Sequence, residues 1–180
     1  MMRILRAADR AAVPWKNGGG VTREVAAWPP GAGMDDFLWR VSIADVREPG
    51  PFSHFDGVDR TMAVLRGHLI LAFTDFEIDL QPGDDPFAFQ GDEPCTGTPF
   101  GGPATDLNVM VRRGRVLANV ERVSDTVISA TADKTLIVAS APTTLYMGDA
   151  IEQLRDFDAA LIEGAAGISL QGAGYVISIA

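Results

Sequence analysis

The sequence is poor in the residues from which catalytic and metal sites are most often built. Its 180 residues include one cysteine, Cys95, and two histidines, His54 and His68. A single cysteine cannot form an internal disulfide, which favours a cytoplasmic location. No GxSxG, Walker or GxGxxG sequence is present. Nucleophilic catalysis and nucleotide binding of the familiar kinds are therefore not predicted.

The chain also lacks a long apolar run and an excess of positive charge. No apolar stretch approaches the ~20 residues that span a bilayer, and residues 1–13 interleave charges with short apolar side chains, unlike a secretory signal. The formal net charge is −9, which argues against nucleic acid or an anionic membrane as partner. Thirteen of the fifteen basic residues are arginine. Arginine suits carboxylate ligands, although a high-GC genome would also favour its codons.

What the sequence does contain is many short apolar segments separated by glycine, proline and aspartate. This pattern predicts an all-β sandwich or barrel. The predicted strands are 21–27, 38–44, 61–66, 68–73, 76–80, 87–89, 107–112, 114–123, 126–130, 135–141, 144–147, 160–163, 167–170 and 175–179. One short helix is predicted at 149–154.

A weak internal repeat indicates two successive barrels. Residues 69–71 and 136–138 are apolar strands, and each leads to a Gly-Asp turn, at 83–84 and at 148–149. We therefore expect a first barrel over residues 1–120, which carries the motifs, and a degenerate second barrel over 121–180 packed on it. Strands from the N-terminus can take part in the second barrel.

The spacing of His54, Asp56, Arg60 and Gly67 resembles the first metal motif of cupins, which are double-stranded β-helix (jelly-roll) barrels. That motif has His-x-His, a Glu four residues on and a Gly seven residues later. Further on, Gly83, Gly91 and Pro94 occupy the positions of Gly, Gly and His in the second cupin motif. Three of the four expected ligands are replaced. His54 and Asp56 could supply two, but a stable site normally needs three or more. We expect the barrel without a metal or other cofactor.

Five segments resemble the HutD/Ves family, and together they span residues 13–114. They are 13–24 (VPWKNGGGVTRE), 39–44 (WRVSIA), 50–53 (GPFS), 57–61 (GVDRT) and 106–110 (DLNVM). The resemblance implies a cupin-type double barrel associated with bacterial histidine-utilisation operons. It further implies a regulatory or accessory protein that senses a pathway intermediate. His54 departs from the less polar residue expected in the family.

Strand alternation determines which side chains of these segments can converge. Residues two apart on a strand lie on the same face, so Arg40 shares a face with Ser42, and Asn108 shares one with Asp106. A coherent arrangement brings five polar side chains around one cavity of the first barrel. The alternative is that these polar faces form the wet outside of a sandwich. The five are Glu24, Arg40, Ser42, Arg60 and Asn108.

Arg60 is the most informative residue, because a guanidinium cannot bind a metal ion. A guanidinium and a metal ion ~4 Å apart would repel by about 4 kcal/mol for each pair of unit charges at moderate dielectric. Either Arg60 replaces the ion as the charge that binds an anion, or it forms a structural bridge with Asp59 or Glu24. The loop from Lys16 to Gly20 allows a similar choice between an anion-facing loop and a tight turn.

From these observations we expect a protein that binds a small anionic metabolite, such as urocanate or a formylated glutamate. Arg40 and Arg60 would grip the carboxylate, and Glu24 and Asp59 would orient these arginines. The remaining contacts would come from Lys16, the amides of Gly18, Gly19 and Gly20, and the side chains of Asn17, Thr22, Ser42 and Asn108.

Two other classes of function stay open at this point. One is a metal-independent cupin enzyme, an isomerase or lyase with His54 or Glu24 as base. The other is a non-catalytic interaction module. Strand addition at an open sheet edge would allow a homodimer. Binding without catalysis is the expectation we favour.

Overall fold

The computed structural model describes residues 1–180, and all of its regular elements except one are β-strands. The exception is a 3-10 helix at Ala7–Asp9. None of the helical segments is long and apolar enough to cross a membrane. The predicted all-β fold is confirmed. The strands are β1 (Met2–Leu5), β2 (Ala12–Pro14), β3 (Gly20–Trp28), β4 (Trp39–Val46), β5 (Gly50–Pro51), β6 (Val58–Arg66), β7 (Leu69–Ala72), β8 (Glu77–Leu80), β9 (Phe87–Gln90), β10 (Thr96–Pro99), β11 (Ala104–Arg112), β12 (Ala118–Ala130), β13 (Lys134–Ala139), β14 (Thr143–Met147), β15 (Ala150–Leu154), β16 (Ala159–Glu163) and β17 (Ala166–Ile179).

These strands form two compact units, which we call the motif unit and the terminal unit. The motif unit is Ala11–Val116, and the terminal unit combines Met1–Arg10 with Leu117–Ala180. The first ten residues belong to the terminal unit because β1 pairs with β16. The expected division at residue 120 falls inside β12. The arrangement as two complete cupin barrels stays a prediction.

The motif unit contains two antiparallel sheets. One has six strands in the order β2-β3-β4-β11-β6-β9, and the other has four in the order β5-β10-β7-β8. Their facing side chains share one apolar core, to which the larger sheet contributes Met62, Val64 and Phe89 and the smaller sheet Leu69 and Leu71. The inner face of the larger sheet therefore lines the interior of this unit.

The turn that connects β6 in the larger sheet to β7 in the smaller sheet requires a glycine. Gly67 has φ +75°, and a β-carbon on it would lie 2.5 Å from the carbonyl oxygen of Pro103. Any other residue would combine an unfavourable left-handed backbone with a clash against main-chain atoms. This cupin-motif position is thus explained by backbone geometry.

The terminal unit is a seven-stranded antiparallel sheet in the order β1-β16-β13-β17-β14-β15, with β12 paired to β17. Its core is apolar and includes Ile137, Leu145, Ile162 and Ile168. The 13-residue β12 joins two predicted strands, as does the 14-residue β17. At their junction Asp125, with φ 42°, accepts a hydrogen bond from the Gly172 amide at 2.8 Å. Because of this bulge, the pairing of β12 with β17 continues through polar residues from which we had expected a break between two strands.

The predicted helix at 149–154 is wrong, because this segment is strand β15. Met147 pairs with Ala150, so Gly148 and Asp149 form a two-residue hairpin turn. Gly148 has φ 58°, the positive value that such hairpin turns require. Pairing with β14 supplies the backbone hydrogen bonds that six residues of isolated helix could not provide cooperatively.

A buried carboxylate fastens the N-terminal segment within the terminal unit. Asp158 accepts hydrogen bonds from the amide of Ala7 at 2.7 Å, the amide of Arg155 at 3.1 Å and the guanidinium of Arg6 at 2.9 Å. Burial alone would raise the pKa of Asp158, but these donors together lower it. The ionised form is therefore favoured by folding.

We expect Asp158→Ala to reduce the free energy of unfolding by about 2–4 kcal/mol at pH 7, because three donors lose a buried charged acceptor. The lowered pKa means that this contribution is present above ~pH 4, the unfolded value, and is lost as the pH falls through the folded value. Urea denaturation at pH 7 and pH 3 measures both effects. The exposed Asp149→Ala serves as control, and equal stability of the two variants at pH 7 would contradict the assignment.

Candidate functional site

The inner face of the six-stranded sheet carries a row of polar residues across three strands. Glu24 on β3 pairs with Ser42 on β4, and Ser42 pairs with Asn108 on β11. The neighbouring row contains Arg40 and Arg60, with Met110 between them. The structure thus brings together on one face all five side chains that alternation had grouped there.

Arg60 lies in the interior, where it is only 6% exposed. Its Nε donates to Asn108 Oδ1 at 3.3 Å, and its Nη1 donates to the carbonyl oxygen of Ser53 at 3.4 Å. Three phenylalanine rings surround the guanidinium, with centroids 5.6, 5.7 and 5.1 Å from its central carbon. They belong to Phe52, Phe55 and Phe89. Cation–π contacts of this kind contribute roughly 0.5–2 kcal/mol each.

The positive charge of Arg60 is not neutralised by a direct ion pair. Both of its side-chain hydrogen bonds go to neutral oxygens, and no carboxylate lies in salt-bridge contact with it. Burial is the main cause of a lowered pKa for Arg60, and Asp106 acts in the opposite direction. A guanidinium nevertheless stays protonated in proteins. The structural-bridge alternative with Asp59 or Glu24 is therefore not what the structure shows.

Asp106 shares the inner face with Arg60 and Asn108 and is 2% exposed. It lies beside a register shift between Thr105 and Asp106 in the pairing of β11 with β6, the kind of irregularity that re-aims a side chain. Burial raises the pKa of Asp106 to about 7, Asp45 adds to this effect and Arg60 opposes it. The carboxyl group receives no hydrogen bond from the protein. An unpartnered buried carboxyl is unusual.

Arg40 is positioned by Glu24, as expected. Its Nε donates to Glu24 Oε2 at 2.9 Å, and the side chains are 13% and 43% exposed. This pair lies toward the solvent-exposed end of the polar row, whereas Arg60 is buried in the interior of the motif unit. A carboxylate at Arg40 would have to share the guanidinium with Glu24.

The predicted role of Asp59 is wrong. Asp59 lies on the opposite face of β6 from Arg60, and its carboxylate accepts from Arg113 Nε at 2.6 Å. Arg113 also forms two 3.0 Å hydrogen bonds with Asp92, which lower the pKa of Asp92 to about 2. Asp59 belongs to this separate ionic cluster and does not orient Arg40 or Arg60.

The loop from Lys16 to Gly20 is a tight turn whose polar groups are used internally. The amide of Gly18 donates to the Trp15 carbonyl at 3.0 Å, and the amide of Gly19 donates to Asn17 Oδ1 at 2.9 Å. Gly20 is a strand residue paired with Val46, and Lys16 is exposed. The geometry therefore gives no support to the expectation that these amides close over an anion.

Thr22 likewise already has a partner, because its hydroxyl accepts from Trp15 Nε1 at 2.8 Å. The Trp15 ring packs edge-on against Phe52 at 5.9 Å. Phe52 in turn sits over Gly97, where a β-carbon would lie 2.5 Å from the ring. The loop thus supports the aromatic wall around Arg60 through Trp15 and Phe52.

The remaining cupin-motif residues do not assemble a metal centre. His54 is 54% exposed and its Nε2 lies 2.8 Å from Asp56 Oδ1, on the loop before β6. No group of three or more His, Cys, Asp or Glu side chains is placed to hold a metal ion. His54 and Glu24, the two candidate bases, are each bound to a charged partner, Asp56 and Arg40 respectively.

Two features of the site were missed by sequence reasoning. Alternation placed Asp106 on the correct face, but nothing in the sequence showed that its carboxyl would be buried without a partner. The phenylalanine wall comes from a loop and an edge strand that are far apart in sequence. The Phe in GPFS at 50–53 was the only available signal for it.

Two antiparallel sheets that pack face to face around a shared core define a cupin-type fold. A cupin conserved barrel domain protein from Leptotrichia buccalis has the same fold, with a TM-score of 0.60 at 7% identity over 93% of this chain and 91% of that one. The family model described as HutD matches residues 7–178, and this chain belongs to that family. The resemblance seen in the sequence is confirmed.

Individual relatives agree with this membership. The structure of HutD from Pseudomonas fluorescens SBW25 in a formate condition gives a TM-score of 0.89 at 31% identity, covering 99% of this chain and 98% of that one. A 21.2 kDa Pseudomonas putida protein in the hutC 3′ region is 33% identical over 189 residues, 99% of this chain and 97% of the relative. Protein Ves from Citrobacter koseri is 40% identical over 117 residues, 62% of this chain and 58% of Ves.

We expect Asp106→Asn to remove a pH-dependent loss of stability. The folded pKa of about 7 exceeds the unfolded value of ~3.9, so between these values the folded chain keeps a proton that the unfolded chain has lost. This contribution falls as the pH rises through that window, by at most about 1.4 kcal/mol per pH unit. The variant should gain on the wild type from pH 4 to pH 7 in urea denaturation. A constant difference, like that of the exposed Asp75→Asn, would contradict this.

Proposed function

We propose that this protein binds a small carboxylate-bearing intermediate of histidine degradation and modulates expression of the pathway. Urocanate and a formylated glutamate are the candidate ligands. The observation that carries the proposal is the buried, charged Arg60 without an ion pair. A buried charge normally needs a compensating partner, and a ligand carboxylate would supply one.

The neighbouring groups fit this role. Asn108 accepts a hydrogen bond from Nε of Arg60 and so orients the guanidinium group. The Nη2 atom of the same group has no acceptor in the protein. Arginine binds carboxylates in a planar, bidentate manner. Arg40, whose charge is balanced by Glu24, lies toward the more exposed end of the row and has further N–H groups that could donate to the ligand. Ser42, buried in the middle of that row, completes the polar contacts.

The family supports the pathway part of the proposal. HutD proteins are cupin proteins associated with histidine utilisation, and one relative is described by its place in the hutC 3′ region. With a net charge of −9, direct operator binding or a membrane partner is not part of the proposal. Its effect on expression would pass through ligand binding, in the cytoplasm, and a homodimer by strand addition is compatible with it.

The test is calorimetric titration of the wild type with urocanate, formylglutamate and histidine. We expect a saturable response to at least one pathway carboxylate. Arg60→Met, which keeps the volume of the side chain, should weaken it by tenfold to a hundredfold, because about 1.5–3 kcal/mol of charged hydrogen bonding is lost. Arg47→Ala, at an exposed arginine, should bind as the wild type does.

Circular dichroism establishes that Arg60→Met is folded before its affinity is interpreted. A folded Arg60→Met variant that binds as tightly as the wild type would refute the assigned grip. For the regulatory part, transcripts of the histidine-degradation genes should change alike in a deletion strain and in a strain carrying Arg60→Met. Unchanged transcripts in both strains would refute modulation of expression.

A further inference from the structure

We propose that the interior of the motif unit takes up a monocarboxylate together with one proton, and that Asp106 holds that proton. This inference rests on the proposed function, because it assumes that Arg60 binds a carboxylate. It adds the chemical class of the ligand and a second binding residue.

The first argument is the position of Asp106. Its side chain lies on the same inner face as Asn108, two residues along β11, and Asn108 in turn contacts Arg60. Asp106 is 2% exposed, and its carboxyl group has neither a hydrogen bond nor an ion pair within the protein. Its oxygens are not among the fully enclosed polar atoms that lack a partner, so they keep slight access to solvent. Buried polar groups almost always have such partners. The unpartnered group therefore marks a place where a polar ligand would complete the site.

The second argument is the balance of charge. Arg40 and Glu24 compensate each other through their 2.9 Å contact. Asp45 on β4 is bound by Arg23 and by the Thr105 hydroxyl, each at 2.9 Å. Burial raises the pKa of the nearby Cys95 thiol to about 11, so it is neutral. The charge of the interior is then set by the two groups that lack a direct counter-ion, Arg60 and Asp106.

With Asp106 ionised these two charges cancel, and with Asp106 protonated one positive charge remains. A monocarboxylate neutralises that single charge. A dicarboxylate would leave one negative charge without a partner in a poorly solvated interior, which is costly. The charge balance therefore favours a ligand with one carboxylate, as in urocanate, over one with two, as in formylglutamate.

Binding and protonation are then coupled. A ligand carboxylate near Asp106 disfavours its ionised form, and the protonated acid can donate a hydrogen bond to the ligand. Asp106 has a pKa of about 7. Its carboxyl group is therefore mostly protonated at pH 6 before the ligand binds, whereas at pH 8 it must take up a proton on binding. Affinity should fall as the pH rises.

The test uses formate and trans-cinnamate, two monocarboxylates that do not titrate between pH 6 and pH 8, with succinate as the dicarboxylate. We expect calorimetric affinities about tenfold weaker at pH 8 than at pH 6 for both monocarboxylates. Binding enthalpies measured in HEPES and in Tris at pH 7.5 should differ by the amount that corresponds to uptake of most of one proton. Succinate should bind more weakly than either monocarboxylate.

The matched variants are Asp106→Asn and the exposed Asp75→Asn. Asp106→Asn should bind without proton uptake and with an affinity independent of pH, whereas Asp75→Asn should behave as the wild type. Wild-type binding without proton uptake, or tighter binding of succinate, would overturn this inference and leave the proposed function standing. Absence of binding by any pathway acid or probe, at every pH, would overturn both.

Discussion

A guanidinium enclosed by aromatic rings is the interaction on which the rest of the motif unit depends. Moving an unpaired charge out of water costs several kcal/mol, and two neutral oxygens at 3.3 and 3.4 Å recover only part of that cost for Arg60. The three phenylalanine rings add cation–π contacts. They come from the loop before β6 and from the edge strand β9, so two segments that are separate in sequence hold the charge.

The interior of this unit is accordingly divided into two parts. The apolar part, with Met62, Leu69 and Leu71, joins the two sheets. The polar part follows one row of the larger sheet from Glu24 to Asn108. Both irregularities in this sheet occur next to polar residues, one after Glu24 and one at Asp106. Bulges change where a side chain points without ending the strand. Here one directly follows Glu24, at one end of the row, and the other lies two residues along β11 from Asn108, at the other end.

The extent to which this arrangement follows from sequence depends on how local each feature is. Alternation has a period of two residues, so the shared face of Arg40 and Ser42 could be predicted from six residues. The partner of Asp59 could not, because it is Arg113, on a segment 54 residues away. The strand at Ala150–Leu154, in contrast, follows from a local feature. The Gly-Asp turn at 148–149 can be read from the sequence, and it brings the residues on its two sides into a hairpin.

The lack of a hydrogen-bond partner at Asp106 is a feature that neither local nor long-range sequence patterns predict. It depends on which groups fail to reach the carboxyl, and no sequence pattern records an absence of contacts. The family segment 106–110 contains this residue, and it also contains Asn108, which the sequence did point to. Only the register of β11 against β4 and β6 shows that the two side chains share an interior with Arg60.

The contact between Gly97 and Phe52 restricts which residues the sequence can accept at position 97. The Phe52 ring lies 2.5 Å from the point where any larger residue would place its first side-chain atom. Even alanine would therefore force the ring to shift from its position beside Arg60. Glycine at this position therefore keeps the Phe52 ring in place over the guanidinium of Arg60.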